Sequence, residues 1–186
     1  LKLKLHFNYL KQINPRIISW SITGFGAKGS HSASPAYAQI VQAYSGAMSI
    51  TGPDANTPTR AGIPIVDFGS GLYSVIGILA ALLSREHTNN GQHIDMSLLD
   101  VQISLLTYIA TMQTLSNIDH EPIGNDHFVH VHYNSFTTQN GFEVIAVIKD
   151  VFWEALLDVM NIDRFREPKF SKSGDRLKKQ ESIKSC

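Results

Sequence analysis

The stretch from Leu72 to Leu83 is the most apolar in the chain, and Asp67-Phe68-Gly69-Ser70-Gly71 stands immediately before it. A run of this kind has to be covered by other parts of a fold, because its burial is the main favourable term in folding. It is shorter than the roughly 20 apolar residues that a bilayer span requires, and Tyr73, Ser74 and Gly77 interrupt it. The pattern predicts a buried helix from about Gly69 to His87. Asp67 closes the extended apolar stretch Ile63-Pro64-Ile65-Val66 just ahead of it. A carboxylate there is expensive to desolvate, so it is paired, caps the helix, or is kept exposed for chemistry.

The 186 residues, 43% of them apolar and 17% charged, suit one substantial domain or parts of two. Sixteen basic residues balance sixteen acidic ones, and the basic run Lys169 to Lys184 is interrupted by Asp175 and Glu181. No net field attracts nucleic acid. The single cysteine, Cys186, excludes an intrachain disulfide and fits a reducing compartment. The opening residues Leu1 to Phe7 alternate apolar and basic and do not form a secretory signal. With no initiator methionine, the chain reads as the interior of a longer protein.

Along the chain, Asn8 to Ile13 predicts a short helix stopped by Asn14-Pro15, and Arg16 to Thr23 a buried strand ended by Gly24. Ser34 and Pro35 read as the cap and first residue of a helix running to Tyr44. Thr51 to Ala61 is a surface loop. After the long helix, Thr88-Asn89-Asn90-Gly91 turns into a strand Gln92 to Met96, and Ser97 caps a helix to about Thr114. Long helices around short strands predict an α/β layer arrangement with a mostly parallel sheet over residues 1–115. Ser116 to Asn125 reads as a linker, and residues 126–186 as a smaller α+β unit. That unit has strands His130 to Phe136 and Phe142 to Ile148, a helix Val151 to Met160, and a basic tail with too few apolar residues to close a core alone. No internal repeat is apparent.

Gly24-Phe25-Gly26-Ala27-Lys28-Gly29 has the glycine spacing of a dinucleotide loop, but Ser30 to Pro35 delay the helix that should receive the pyrophosphate, so NAD binding is disfavoured. His120, His127, His130 and His132 lie close in sequence. They read as loop and edge imidazoles rather than metal ligands, with no cysteine and no helical His-Glu pair nearby. No Gly-x-Ser-x-Gly elbow supports a serine hydrolase. Asp67 retains two readings. It is a helix N-cap, favoured by the macrodipole, or a reactive carboxylate that a bulky ligand reaches past Gly69 and Gly71.

The residues resemble the family III CoA-transferases, the CaiB/BaiF group that includes formyl-CoA and carnitine CoA-transferases. The resemblance is carried in order by Lys2 to Leu10, Asn14 to Ile18, Ser21 to Gly26, Pro35 to Ala43 and Ser45-Gly46. It continues through Pro64 to Asp67, Ala80 to Thr88, Gly91 to Asp100 and Gly124 to His127. It implies a partial fold: part of a Rossmann-like large domain plus the start of a smaller α+β domain. The N-terminal half-sheet and returning C-terminal segment would be missing, and in the family the whole forms an interlocked dimer.

The resemblance also implies transfer of CoA from an acyl-CoA donor to a small carboxylic acid. Asp67 falls on the nucleophile, which would pass through an anhydride and an aspartyl thioester. A carboxylate is already ionised near neutral pH and needs no general base. The amides of Phe68, Gly69 and Ser70 are oxyanion candidates. Lys2, Pro35, Ala36, Tyr37 and Ala38 match CoA-contacting positions, and Gly124, Asn125, Asp126 and His127 match the start of a mobile loop over the acyl site. CoA is a substrate in this reading, with no permanent cofactor, no metal and no membrane partner. The compartment is the cytoplasm or an organelle.

Two departures stand out. Ala38 replaces the family's carboxylate, and Phe128 stands where proline is usual. These, with the missing termini, keep a degenerate non-catalytic member as the rival. The related α-methylacyl-CoA racemases place a catalytic histidine where this chain has Tyr37, so racemisation is disfavoured.

Overall fold

In a computed structural model of the chain, residues 3–184 are described, and they form two compact units that divide between Pro122 and Ile123. The first unit runs α1 (Phe7–Ile13), β1 (Ser19–Thr23), α2 (Ala38–Tyr44), α3 (Ile65–Thr88), β2 (His93–Ser97), α4 (Leu98–Leu105) and α5 (Tyr108–Ser116). Strands β1 and β2 pair in parallel, from Ser19 opposite His93 to Thr23 opposite Ser97. Parallel strands need a long crossover, and here α2 and α3 provide it.

Helix α3 packs along one face of this sheet. Trp20 on β1 donates its indole N–H to Ser74 Oγ (3.0 Å), and a Cβ on Gly77 would sit 3.3 Å from Ile94 Cγ2. Gly77 is therefore a point of close approach rather than an interruption. On the other face His93 lies between Ser19 Oγ (2.8 Å from Nδ1) and Ser21 Oγ (3.4 Å from Nε2) and stacks on Phe7 of α1. Gly91 is obligatory at the entry to β2, since a Cβ there would lie 1.8 Å from the Ile17 carbonyl oxygen.

Several boundaries differ from the sequence reading. Helix α3 begins at Ile65, four residues before Gly69, with Pro64 at its N-cap. Proline has no N–H to lose there, and burial of Val66 (0% exposed) outweighs the extended preference of a β-branched pair. The helix is also not buried throughout: Leu72, Val75, Ile76, Leu79 and Leu83 are 54–67% exposed along one stripe. With 24 residues it is long and apolar enough to cross a membrane by length and composition alone. Its other face carries Gly69, Ser70, Ser74 and Ala81 inward, as in the core-facing side of a layered fold.

Strand β1 is half-exposed rather than buried, at Trp20 (50%) and Ile22 (40%), because only two strands make the sheet. Helix α2 starts at Ala38 and not at Pro35, so Ser34 is not its cap. A Cβ on Gly24 would lie 2.1 Å from Ala36 Cβ, so the chain passes hard against the end of β1 and stays extended through Tyr37 before it can coil. Ser97 caps α4, its Oγ accepting the Asp100 N–H at 3.2 Å. The helix predicted to run on to Thr114 is broken at Thr107, whose φ of 51° and ψ of −123° no local residue signals.

The second unit pairs β3 (Tyr133–Thr138) antiparallel with β4 (Gly141–Ala146), followed by α6 (Asp150–Met160), α7 (Ser173–Leu177) and α8 (Gln180–Lys184). His130 and His132 precede β3 rather than lying in it. Val131, Val147, Trp153, Leu157, Phe165, Phe170 and Ile183 form its core. The tail beyond Lys169 thus completes a core instead of trailing, and Arg176 is the reason. Fully buried, it donates to the carbonyls of Val131 (2.9 Å), Phe170 (2.9 Å) and Ser171 (3.1 Å), pairs with Asp150 (2.9 Å), and lies over the Trp153 ring. Each of its three nitrogens meets a partner, which is what makes a buried guanidinium tolerable.

Candidate functional site

Asp67 is the third residue of α3 and is exposed to solvent. It is not the N-cap, which is Pro64. With Phe68, Gly71, Leu72 and Val75 it lines an open, largely apolar depression of about 340 Å³. Among the described residues its carboxylate has no hydrogen-bond or ion-pair partner.

The helix start sets which amides are available. The Phe68 N–H donates to the Pro64 carbonyl (3.1 Å), and the Ile65 N–H to Ile63 (2.8 Å). Gly69 and Ser70 lie a turn inside the helix, where their N–H groups belong to its ladder. The three oxyanion candidates Phe68, Gly69 and Ser70 are therefore engaged. Among the described residues, the amides of Val66 and Asp67 itself make no hydrogen bond, as expected of the first turn. They add to the positive end of the helix dipole beside the carboxylate.

The two glycines have different roles. A Cβ on Gly69 would lie 3.1 Å from Leu105 and 3.2 Å from Val101, so Gly69 lets α4 close on α3 and does not open the carboxylate to a ligand. Gly71 has nothing within 4 Å of a built Cβ and is the glycine that clears the depression. A buried residue that no sequence motif marks holds the approach to Asp67. Gln42 on α2, 4% exposed, accepts the Ala61 N–H with Oε1 at 2.8 Å and ties the loop before α3 to α2.

Pro35, Ala36, Tyr37 and Ala38 lie at the start of α2, with the Tyr37 ring 75% exposed. Lys2 lies outside the described residues. The glycine-rich segment is anchored by Thr23 Oγ1 accepting the Gly26 N–H (2.9 Å) and Asp95 Oδ2 accepting the Ala27 N–H (2.9 Å). It does not open into a helix until Ala38, which is not the geometry of a dinucleotide loop.

Gly124, Asn125, Asp126 and His127 belong to the second unit. Gly124 has φ 62°, and two bonds tether the turn to β3: Asn125 Nδ2 to Ser135 Oγ (2.7 Å) and Asn134 Nδ2 to Asp126 Oδ1 (2.5 Å). The His127 ring lies against those of His130 and Tyr133, at 4.7 and 5.0 Å between centroids. Burial, and then the neighbouring His130, lower its pKa from the usual 6.5. Among the described residues no three His, Cys, Asp or Glu side chains are grouped to hold a metal ion.

Asp67 is thus an exposed, unpaired carboxylate in the first turn of a long helix, and it does not cap that helix. The sequence profile of CoA-transferase family III matches residues 1–185, and the chain belongs to that family. It is 38% identical over 161 residues to a succinate-glutarate CoA-transferase of Agrobacterium fabrum, covering 87% of this chain and 40% of that protein. To an acetyl-CoA:oxalate CoA-transferase of Acetobacter aceti it is 35% identical, over 98% of this chain and 48% of the relative. The crystal structure of a CaiB/BaiF family protein from Brucella suis superposes with a TM-score of 0.82 at 31% identity, covering 99% of this chain and 49% of that one. The fold is thus α/β and a part of the family III fold. The chain spans about half the length of these relatives.

Proposed function

We propose that the chain supplies the nucleophile segment of a CoA-transferase that moves CoA from an acyl-CoA donor to a small carboxylic acid. The observation that carries this reading is Asp67: ionisable, unpaired, exposed, and set beside the free amides of Val66 and itself. Its carboxylate would attack the donor's thioester carbonyl, forming a mixed anhydride as the CoA thiolate leaves. The thiolate would then attack the aspartyl carbonyl, releasing the donor's acid and leaving an aspartyl thioester. The acceptor carboxylate would attack that carbonyl and expel the thiolate to give a second anhydride, and the thiolate would then attack the acceptor's acyl carbonyl, forming the new acyl-CoA and releasing the Asp67 carboxylate. Carboxylates and the CoA thiolate attack and leave as anions throughout, so no proton has to be moved.

The tetrahedral oxyanions need donors, and the Val66 and Asp67 amides replace the three first expected. Pro35 to Ala38 would meet the CoA, and Lys2 its phosphates. Gly124 to His127 would close over the acyl group, and the assembly would be a homodimer. The relatives' names support dicarboxylic acids as the acids exchanged, such as succinate, glutarate or oxalate.

An aspartyl anhydride survives only where water is kept away, and here the depression is open. Activity accordingly belongs to a chain of the relatives' length, with this segment as one part. The test is Asp67→Asn in such an extended chain, assayed for exchange between succinyl-CoA and glutarate and for hydroxylamine trapping. Loss of turnover by at least about a thousandfold and loss of the trapped hydroxamate are expected. Unchanged turnover would overturn the reading.

A further inference from the structure

His127 Nδ1 accepts two backbone N–H groups, from Val129 at 3.0 Å and from His130 at 3.3 Å. One lone pair thus holds the turn that follows it. Accepting at Nδ1 requires that this nitrogen carry no proton, so the ring is neutral with its hydrogen on Nε2. The residues just before it are tied to β3 by the Asn125–Ser135 and Asp126–Asn134 bonds, and the Asp126 N–H donates to the Ile123 carbonyl (3.2 Å). The segment 123–130 is therefore pinned at one end by the Asn125 and Asn134 amides on the Ser135 hydroxyl and the Asp126 carboxylate, and at the other by one imidazole.

We propose that His127 is a positioning residue: its unprotonated Nδ1 latches the 127–130 turn and so sets the conformation in which Gly124 to His127 are presented. The proposal rests on the reading of this segment as the loop over the acyl site. Protonation at Nδ1 turns the acceptor into a donor that faces two other donors, and both bonds are lost together. Of the titratable groups near the ring, His130 and Tyr133 are in ring contact with it and Asp126 is its neighbour in the chain. Burial opposes a charge on the ring, and the second imidazole, 4.7 Å away between centroids, acts in the same direction. The folded chain holds His127 below its ordinary 6.5, so it disfavours the proton that the released ring would take. The latch is complete above that pH and fails as the pH falls below it.

Nitrogen-15 and amide NMR on this chain between about pH 8 and pH 5 tests the latch without passing through catalysis. At the high end the His127 ring is expected as the Nε2–H tautomer, with the Val129 and His130 amides shifted as bonded donors. Both amides should then move with the ring's titration, at a midpoint below 6.5. His127→Asn keeps an acceptor oxygen near the Nδ1 position that can take the same amides, and should hold them at every pH. His127→Ala should lower their exchange protection by about tenfold or more throughout. The proposal is overturned if the ring is Nδ1–H at high pH, if the alanine variant keeps both amides bonded, or if the asparagine variant titrates like the parent. Should a variant unfold, the parent's tautomer decides alone. An Asp67→Asn enzyme with full turnover would sink the transferase reading and leave the latch standing.

Discussion

The two units differ in how they bury apolar side chains. The second, from Ile123 onward, seals seven large ones into a single cluster, with Arg176 bonded to four partners at its edge. The first, nearly twice as long, has among its described residues only Val41, Val66, Ala81 and Val101 as buried hydrophobics. Its elements are regular, yet α3 shows a stripe of leucine, valine and isoleucine to solvent, and a parallel sheet of two strands leaves Trp20 half-exposed. Parallel sheets are normally covered on both faces and continued at both edges. Well-formed local structure and a closed core are separate achievements, and the exposed side is where Asp67 lies.

The largest effect expected is at Arg176. Replacing it with alanine leaves the buried bonds to the Val131 and Phe170 carbonyls unmade, takes the guanidinium from Ser171 and Asp150, and should cost the second unit about 3–5 kcal/mol. Of the chain's two tryptophans, Trp153 lies in the second unit and Trp20 in the first. Urea unfolding of the Trp20→Phe background, followed by Trp153 fluorescence, reads the second unit alone; no change in midpoint would remove Arg176 as its keystone. Next comes a matched pair. Leu157→Ala, at a side chain 2% exposed, should cost about 2–5 kcal/mol, whereas Leu79→Ala, at one 60% exposed, should stay within about 0.5 kcal/mol. Equal losses in thermal unfolding would show that the α3 stripe is covered after all.

Gly69→Ala should cost about 1–3 kcal/mol in the first unit, because Leu105 and Val101 must give way by a few tenths of an ångström. A stabilised variant, read through Trp20 fluorescence, would mean that α4 does not press on α3. The smallest effect is electrostatic. The Arg176 hydrogen bond, aided by Lys172 and the Ser173 amide, holds the Asp150 carboxyl below its usual 3.8. A folded-state pKa below the unfolded one gives stability that is present above 3.8 and lost as the pH falls further. Asp150→Asn should remove that acid-side loss in a pH series of melting temperatures, and an unchanged series would discard the pair as its source.

What was legible in the chain was written within a few residues. Ser97 caps α4 because the hydroxyl has to reach only to Asp100, and α6 follows its amphipathic pattern to within one residue of the predicted start. The early start of α3 was not legible, because Ile65 and Val66 favour extended backbone until burial of Val66 decides otherwise. The delay of α2 past Ser34-Pro35 comes from Gly24 meeting Ala36, a contact across twelve positions that no local signal encodes.

The sequence by itself determined the family and the order of elements from α1 to α4 and from β3 to α6, since these reside in short ordered motifs. Only the tertiary structure decided which amides flank the Asp67 carboxylate, which glycine clears its surroundings, and how a basic tail becomes part of a core. Those outcomes depend on groups far apart along the chain, such as Arg176 and the Val131 carbonyl 45 residues away. Their pairing has a free energy only once the chain between them has folded, and it leaves no mark on the residues beside either one.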